Sequence, residues 1–116
     1  MQASDTGAAA ENLAERFLQS QGLTCVARNY RTRFGEIDLV MHDRDTLVFV
    51  EVRHRSSGKF GGAASSIHDG KRRRIAAAAE HYLLTLHTTP PCRFDVVLME
   101  RLSMDAIEWI RDAFRV

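Results

Sequence analysis

The sequence contains few of the residues that crosslink a chain or anchor it in a membrane. Its 116 residues include only two cysteines, Cys25 and Cys92, and neither has a C-x-x-C or zinc-ligand spacing. Because both lie among apolar residues, we expect them to be reduced and buried. No apolar run approaches the length of a membrane span, and the N-terminus lacks the basic and apolar regions of a signal peptide. These absences predict a cytoplasmic protein that does not contact a membrane.

The composition is that of a globular domain, with 45% hydrophobic and 27% charged residues. We find no repeat and no internal linker, and we therefore expect one domain over residues 1–116. The net charge of +1 excludes a polyanion binder of the histone-tail kind. The charges are uneven, however, because residues 28–74 hold 11 Lys/Arg against 6 Asp/Glu. Such a segment is typical of a face that binds nucleic acid, although an ordinary mixed-charge surface can also contain one.

The periodicity of apolar residues predicts an α/β fold with the element order α-β-β-β-α-β-β. One helix is predicted over residues 8–21, with Asp5 or Thr6 as its cap and Gly22 at its end, and a second runs from the Ser66 start signal to about His87. The predicted strands are 23–30, 36–41, 46–52, 94–99 and 106–110, and a terminal turn is predicted over 111–116. Residues 56–66 are typical of a loop and lack P-loop spacing, so we expect no nucleotide cofactor.

The second and third strands carry acidic residues that hairpin geometry brings together. Alternation puts Glu36 and Asp38 on one face of the second strand and its apolar residues 37 and 39 on the other. A two-residue loop at 44–45 pairs residues whose numbers sum to 89. Asp38 then lies opposite Glu51, and Glu36 lies opposite Arg53.

Directly opposed carboxylates, with Cβ atoms about 5 Å apart, destabilise a sheet unless something compensates their charge. Mg²⁺ is a natural compensator, because it binds oxygen ligands and is often held by one or two carboxylates together with substrate phosphate. Two simpler alternatives remain open: Glu36 and Arg53 form an ordinary cross-strand pair, and Asp38 and Glu51 face solvent. Phosphate chemistry is favoured by the neighbouring cationic residues, which are Arg31, Arg33, Arg55, Lys59 and Lys71.

Several motifs carry a family resemblance that covers nearly the whole chain. They are residues 35–40 (Gly-Glu-Ile-Asp-Leu-Val), 48–55, 60–62 and 93–97 with Lys71, and Gly7, Glu11 and Asn29 fit as well. Together they closely resemble the YraN-like family of uncharacterised bacterial proteins, which is similar to archaeal Holliday-junction resolvases. The resemblance implies a restriction-endonuclease-like three-layer fold with a central mixed sheet. It also implies PD-(D/E)XK chemistry, in which carboxylates hold Mg²⁺ or Mn²⁺ for phosphodiester hydrolysis.

The resemblance also implies roles for individual residues. Asp38 matches the metal-binding aspartate, and Glu51 matches the acidic residue of the (D/E)XK segment. Glu11 resembles the first-helix glutamate of resolvase-like members, although a first-turn carboxylate is also stabilised by the helix dipole alone. Arg53 occupies the lysine position, where it stays charged but can stabilise a phosphate. Lys71 can supply the missing amine, or alternatively it packs its stem on the core with its head in water.

We therefore expect a metal-dependent endonuclease that acts on DNA, including branched DNA, and that uses Glu11, Asp38 and Glu51 to hold Mg²⁺ or Mn²⁺. By analogy with resolvases, a homodimer would supply two active sites. The residues expected to bind the nucleic-acid backbone are Arg28, Arg31, Arg33, Arg55, Lys59, Arg72, Arg73 and Arg74. Two other functions remain open: a catalytically inactive nucleic-acid-binding module on the same fold, and a protein-interaction domain that uses the Gly-rich loop and the apolar C-terminus.

Overall fold

The computed structural model describes residues 3–54 and 69–115. Its helices and strands, in chain order, are α1 (Ala3–Ser20), β1 (Thr24–Arg31), β2 (Glu36–Asp43), β3 (Thr46–His54), α2 (Asp69–Leu83), β4 (Cys92–Met99) and β5 (Ile107–Phe114). A short 3-10 helix, Met104–Ala106, precedes β5. The strands form one open sheet in the order β1-β2-β3-β4-β5, in which only β3 and β4 are parallel neighbours. The mixed α/β class predicted from the sequence is confirmed.

The two helices cover opposite faces of this sheet. One face buries three residues of α1 at helical spacing, which are Ala10, Ala14 and Leu18. The other face buries three residues of α2, which are Ile75, Ala78 and Ala79. Successive side chains of β3 point to opposite faces of the sheet, so Phe49 packs under α2 and Val50 packs under α1. The described chain therefore forms three layers, with the sheet between the helices.

Helix α1 begins earlier than predicted and ends as predicted. It starts at Ala3, so Asp5 and Thr6 lie within the helix and the prediction that one of them caps it is wrong. Gly22 has a φ of 100°, and the amide of the next residue donates to the Leu18 carbonyl at 3.1 Å. This is a Schellman arrangement, which needs the left-handed conformation that glycine adopts without strain.

Two boundaries in the second half of the chain differ from the prediction. Helix α2 ends at Leu83, where tight turns replace helical hydrogen bonds, rather than near His87. Strand β5 extends to Phe114, so the terminal turn predicted over 111–116 is wrong. Its register shifts between Phe94 and Val96 of β4, and Asp112 has a φ of 51°, which lets the strand bulge and continue. Two predicted features, the Ser66 start signal and the 56–66 loop, lie outside the described residues.

Both cysteines are free thiols, as predicted. Cys25 is half-buried, but Cys92 is exposed, so the prediction that both are buried is wrong for Cys92. Burial along β4 begins only at Asp95, because the start of this strand extends beyond the core. Neither helix, within the part of the chain that the structure describes, has the length and apolar character needed to cross a membrane.

The β2–β3 hairpin has the register predicted from the sequence. Residues 39–43 pair with residues 46–50, and each pair of numbers sums to 89. The ladder ends at that point, so Asp38 and Glu51 are not a regular cross-strand pair. Instead, the Val52 amide donates to Asp38 Oδ2 at 2.8 Å, which keeps Asp38 beside the end of β3.

The alternation of side chains between the two faces of the sheet reverses at one point where β1 pairs with β2. Asn29 has a φ of 51°, and the β1–β2 register puts it opposite Asp38. On one side of this point Ile37 packs with the α2 cluster, whereas Leu39, two residues later, packs with the α1 cluster. Residues two apart in a regular strand share a face. The prediction that residues 37 and 39 share a face is therefore wrong, because the left-handed residue in the partner strand coincides with a reversal of the alternation.

Candidate active site

A cleft of about 200 Å³ opens where the first turns of α2 meet β2 and β3. The residues that line it are Gly35, Glu36, Asp38, Glu51, Lys71, Arg74 and Ile75. Three residues predicted to be catalytic, Asp38, Glu51 and Lys71, therefore line one cavity. They come from three different elements, so the fold, rather than local sequence, brings them together.

Asp38 and Glu51 form a carboxylate pair in this cleft. Glu51 is only 5% exposed. The pKa of Asp38 is raised to about 8, mainly by burial and secondly by the charge of Glu51. The hydrogen bond from the Val52 amide acts in the opposite direction and lowers this pKa. A hydrogen bond between the two carboxyl groups raises it further. Burial and the neighbouring carboxylate thus favour a proton or a cation at Asp38 near neutral pH.

Two cationic side chains approach the same oxygen of this pair. Lys71 Nζ lies 2.5 Å from Glu51 Oε2, and Arg53 Nη1 lies 3.7 Å from it. Lys71 is four residues before the buried Ile75, so both lie on one face of α2. The Lys71 amine reaches the carboxylates from this position. An amine and two carboxyl groups thus line one cleft, with the amine in contact with Glu51.

Glu36 lies at the rim of the cleft and interacts with β1 rather than β3. Its ladder partner is Arg31, whose Nε donates to Glu36 Oε1 at 3.2 Å. The predicted pairing of Glu36 with Arg53 is wrong, because the β2–β3 ladder stops at Leu39 while the β1–β2 ladder continues to Glu36. Both members of the Arg31–Glu36 pair are exposed, so this ion pair contributes little to stability.

Glu11 is held by a residue whose side-chain role the sequence did not reveal. Asn29 Nδ2 donates to Glu11 Oε1 at 3.0 Å, and Arg28 Nη2 lies 3.8 Å from the same oxygen. The charge of Glu11 also raises the pKa of Asp38, as the smallest of the causes. Asparagine is enriched in the left-handed region among residues other than glycine, and this preference is the only local signal for Asn29. Glu11 therefore acts on the carboxylate pair from α1 without joining it.

The oxygen donors of the cleft fit a hard divalent cation. Asp38 and Glu51 supply carboxylate oxygens, and Mg²⁺ commonly completes its shell with water and substrate phosphate. No described residue that lines the cleft is His or Cys, which favours Mg²⁺ or Mn²⁺ over zinc. Across residues 3–54 and 69–115, His, Cys, Asp and Glu form no group of three that could hold a metal ion. The arrangement therefore offers two protein carboxylates, with Glu11 nearby but bound to Asn29.

The cations predicted to bind a nucleic-acid backbone lie in different surroundings. Five of them are exposed on the β1–β2 hairpin or on the first turns of α2: Arg28, Arg31, Arg33, Arg73 and Arg74. Of these, Arg28 approaches two acids of α1, with its Nη1 3.4 Å from Glu15 Oε1. Arg72 has its guanidinium carbon 5.4 Å from the centroid of the Phe114 ring. Two further predicted residues, Arg55 and Lys59, lie outside the described residues.

A second buried carboxylate, Asp95, lies outside the cleft. It is fully buried and accepts hydrogen bonds from Trp109 Nε1 and from the Asp112 amide, both at 2.9 Å. Arg93 Nε donates to it at 3.0 Å. The sequence indicated only that Asp95 is the one charge in its strand. Because these bonds join β4 to the bulged part of β5, we assign Asp95 a structural role.

Comparison with known proteins assigns the chain to a family. The family described as "Uncharacterised protein family UPF0102" matches residues 10–99, a span that includes Glu11, Asp38, Glu51, Arg53 and Lys71. A UPF0102 protein of Methylobacillus flagellatus is 59% identical over 105 residues, which cover 90% of this chain and 92% of the relative. A UPF0102 protein of Nitrosospira multiformis is 56% identical over 110 residues, which cover 95% of this chain and 92% of the relative. The YraN-like resemblance is thereby confirmed at the family level, and the chain belongs to the UPF0102 family.

Proposed function

We propose that this protein is a metal-dependent endonuclease that hydrolyses phosphodiester bonds of DNA, on a restriction-endonuclease-like fold. The observation that carries the proposal is the Asp38–Glu51 pair, with the amine of Lys71 at 2.5 Å from Glu51. A carboxyl group such as Asp38, buried in a cleft and with a strongly raised pKa, is typical of sites that bind cations or move protons. The layered mixed sheet and the YraN-like motifs support the same assignment.

Each side chain in the cleft has a distinct part in this proposal. Asp38 and Glu51 would hold Mg²⁺ or Mn²⁺, which supplies Lewis-acid chemistry and lowers the pKa of water. Lys71 carries its proton at the carboxylates and orients the attacking water or a phosphate oxygen. Arg53 remains charged at every physiological pH, so its contribution is electrostatic stabilisation of phosphate charge. Glu11, held by Asn29 outside the lining of the cleft, would act on Asp38 through its charge from α1.

The exposed cations around the cleft supply the attraction to the DNA backbone. Arg31 and Arg33 flank it on the hairpin, and Arg73 and Arg74 flank it on α2. Such contacts are independent of sequence and weaken as salt rises. Arg55 and Lys59 remain proposed backbone contacts, whereas Arg28, Arg31, Arg33 and Arg72 also have partners within the protein. A homodimer, also proposed, would present two clefts to one branched DNA.

One incubation series tests the proposal. Supercoiled, linear, flapped and four-way-junction DNA are each incubated with Mg²⁺, Mn²⁺ or EDTA. We expect metal-dependent cleavage that Asp38→Asn and Glu51→Gln reduce by at least about 100-fold, the order of magnitude for removal of one transition-state contact. DNA binding in EDTA should survive both changes. Asp45→Asn, the same chemical change in the exposed hairpin turn, is the control and should keep the wild-type rate.

Cleavage that persists equally in the Asp38 and Glu51 variants would overturn this assignment, and so would cleavage that continues undiminished in EDTA. Melting temperatures of all variants show whether each one is folded. Activity lost in the control as well would mean that the substitutions act through stability rather than through the cleft.

A second candidate function is nucleic-acid binding without catalysis. The observation in its favour is that Glu51 Oε2 already lies near two cations, Lys71 and Arg53, so the protein itself neutralises part of the acidic charge. This candidate predicts salt-sensitive DNA binding with no turnover in any metal. Arg53→Lys discriminates between the two, because a gain of cleavage would indicate a site that has lost its catalytic lysine.

A further inference from the structure

An apolar groove with an exposed aromatic residue lies beside the cleft, along α2. It has a volume of about 360 Å³ and is lined by Phe34, Ala77, Glu80, His81 and Leu84. Phe34 is 47% exposed and Leu84 is 84% exposed. Large apolar side chains that share an exposed groove are typical of a binding site rather than of an ordinary protein surface.

The groove and the cleft are lined by neighbouring residues of the same two elements, the β1–β2 hairpin and α2. Phe34 directly precedes Gly35, and Ala77 is one helical turn beyond Arg74, while Gly35 and Arg74 both line the cleft. A Cβ atom at Gly35 would overlap the Arg74 carbonyl oxygen, so hairpin and helix are in backbone contact at this point. The two elements therefore form one wall that runs from the carboxylate pair to the groove. A chain of nucleotides that follows this wall would bring a base to the groove when a neighbouring phosphate is in the cleft.

The hairpin tip holds Phe34 in a defined position. The Thr32 amide donates to the Gly35 carbonyl at 2.8 Å, and Thr32 Oγ1 accepts hydrogen bonds from the amides of Phe34 at 3.0 Å and Gly35 at 3.1 Å. These bonds close a two-residue loop formed by Arg33 and Phe34. The Arg33 guanidinium carbon lies 5.0 Å from the centroid of the Phe34 ring. The fixed backbone of the hairpin tip thus presents an aromatic ring and a cation together.

The helix side of the groove supplies polar atoms. His81 Nδ1 lies 2.6 Å from Tyr30 Oη, which orients the imidazole, and Glu80 is exposed on the same helix. Unpaired nucleobases are commonly recognised by stacking on an aromatic side chain together with hydrogen bonds to their edges. A flat apolar face, polar edge partners and flanking arginines match a nucleobase on an anionic backbone better than they match an apolar peptide.

We propose that this groove binds an unpaired nucleobase by stacking it on Phe34, while the backbone of the same strand follows the cations of the cleft. The inference deepens the proposed function, on which it rests for the path of the backbone. It narrows the substrate class to nucleic acid with unpaired bases beside the bound phosphate. Intact duplex, whose bases stay stacked on one another, cannot use the groove.

Binding measured in EDTA tests this inference separately from cleavage. Fluorescence anisotropy compares a labelled single strand of about 12 nucleotides with the matching duplex. Stacking on one aromatic side chain changes affinity by roughly 5- to 150-fold, so Phe34→Ala should weaken single-strand binding by about tenfold. Phe34→Tyr should stay within about twofold of wild type, because it keeps the ring. Leu102→Ala, at an apolar residue 41% exposed outside the groove, is the matched control and should bind as wild type does.

A second readout reports stacking directly. The emission of a 2-aminopurine base in the single strand should fall on binding to the wild type and to Phe34→Tyr, but not on binding to Phe34→Ala. Equal weakening of single-strand and duplex binding in Phe34→Ala would overturn the inference, as would no weakening of either. A change of oligomeric state in Phe34→Ala with unchanged single-strand affinity would assign the groove to a second copy of the chain, and would also overturn it.

The two proposals fail in different ways. Ring-dependent single-strand binding without metal-dependent cleavage of any DNA would refute the endonuclease and leave the Phe34 groove standing. Metal-dependent cleavage that Phe34→Ala leaves unchanged, with no loss of single-strand affinity, would refute the groove and leave the endonuclease standing.

Discussion

The carboxylate pair predicts that Asp38→Asn stabilises the metal-free protein at high pH. The fold raises the pKa of Asp38 from 3.8 to about 8, first through burial and then through the charge of Glu51. Between those values the folded protein keeps a proton that the unfolded chain has released, so the free energy of unfolding falls as pH rises. The stabilising contribution is complete below pH 4 and is lost as pH rises through about 8. Asparagine carries no charge, and its Oδ1 can still accept from the Val52 amide.

The size of the effect follows from the shift. One pKa unit corresponds to about 1.4 kcal/mol, so the full shift sets a ceiling of about 6 kcal/mol on the penalty for ionising Asp38. Water entry and relaxation of side chains around an ionised group reduce such penalties. We therefore expect Asp38→Asn to raise the free energy of unfolding by about 2–3 kcal/mol at pH 9, and by almost nothing at pH 4. For a domain of this size that gain corresponds to roughly 8–12 °C in melting temperature.

The assay is thermal or urea unfolding in EDTA at several pH values between 4 and 9. Asp45→Asn, which removes a carboxylate from the exposed turn, is the control and should change stability by less than about 0.5 kcal/mol at every pH. Mg²⁺ should then stabilise the wild type more than Asp38→Asn, because a ligand that binds only the folded state raises its stability. The reasoning is refuted if the difference between variant and wild type does not change with pH, or if Asp38→Asn destabilises at pH 9.

Three further predictions concern the supports of the site. Gly35→Ala pushes the hairpin away from the backbone of α2 and should cost about 1–3 kcal/mol in chemical unfolding, whereas Gly7→Ala, in a helix with open space around the new methyl, should be neutral or stabilising. Asn29→Gly keeps the left-handed backbone but loses the hydrogen bond to Glu11, so DNA cleavage should fall while the free energy of unfolding stays within about 1 kcal/mol of wild type. A loss of stability large enough to account for the lost cleavage would contradict this. Lys71→Ala removes the cation 2.5 Å from Glu51 and should lower metal-free stability by about 2 kcal/mol, an amount reduced by partial exposure, with a larger recovery on Mg²⁺ addition than in wild type; a melting temperature unchanged in EDTA would refute it.

The β2–β3 hairpin could be predicted because its determinants are local. A two-residue loop and strict alternation specify the pairing of residues 39–43 with residues 46–50. The reversal of faces at Asn29 and Asp38 could not be predicted, since it depends on the backbone of one strand and on the packing of its neighbour. The extension of β5 to Phe114 also escaped local reasoning, because a positive φ at Asp112 allows the strand to continue through a segment that resembles a turn.

The candidate site likewise contains features that the sequence could predict and features that depend on how the helices pack. Asp38 and Glu51 lie just beyond the regular β2–β3 ladder, so register brought them near each other, and the hydrogen bond from the Val52 amide to Asp38 completes the arrangement. Lys71 could be placed on the Ile75 face of its helix, but its contact with Glu51 depends on how α2 packs across the sheet. The hydrogen bond between Asn29 and Glu11 joins residues 18 positions apart and depends on the docking of α1.

The charge balance of the cleft explains why the arginine in the lysine position does not by itself decide against catalysis. Arg53 Nη1, from β3, lies 3.7 Å from Glu51 Oε2, whereas the Lys71 amine approaches the same oxygen more closely from α2. The group that can exchange a proton and the group that stays charged therefore occupy separate positions around one carboxylate. In the proposed endonuclease, Lys71 would serve proton transfer and Arg53 would stabilise phosphate charge. Their substitutions should then differ in the pH dependence of cleavage, with a change of profile for Lys71→Arg and a uniform loss of rate for Arg53→Ala.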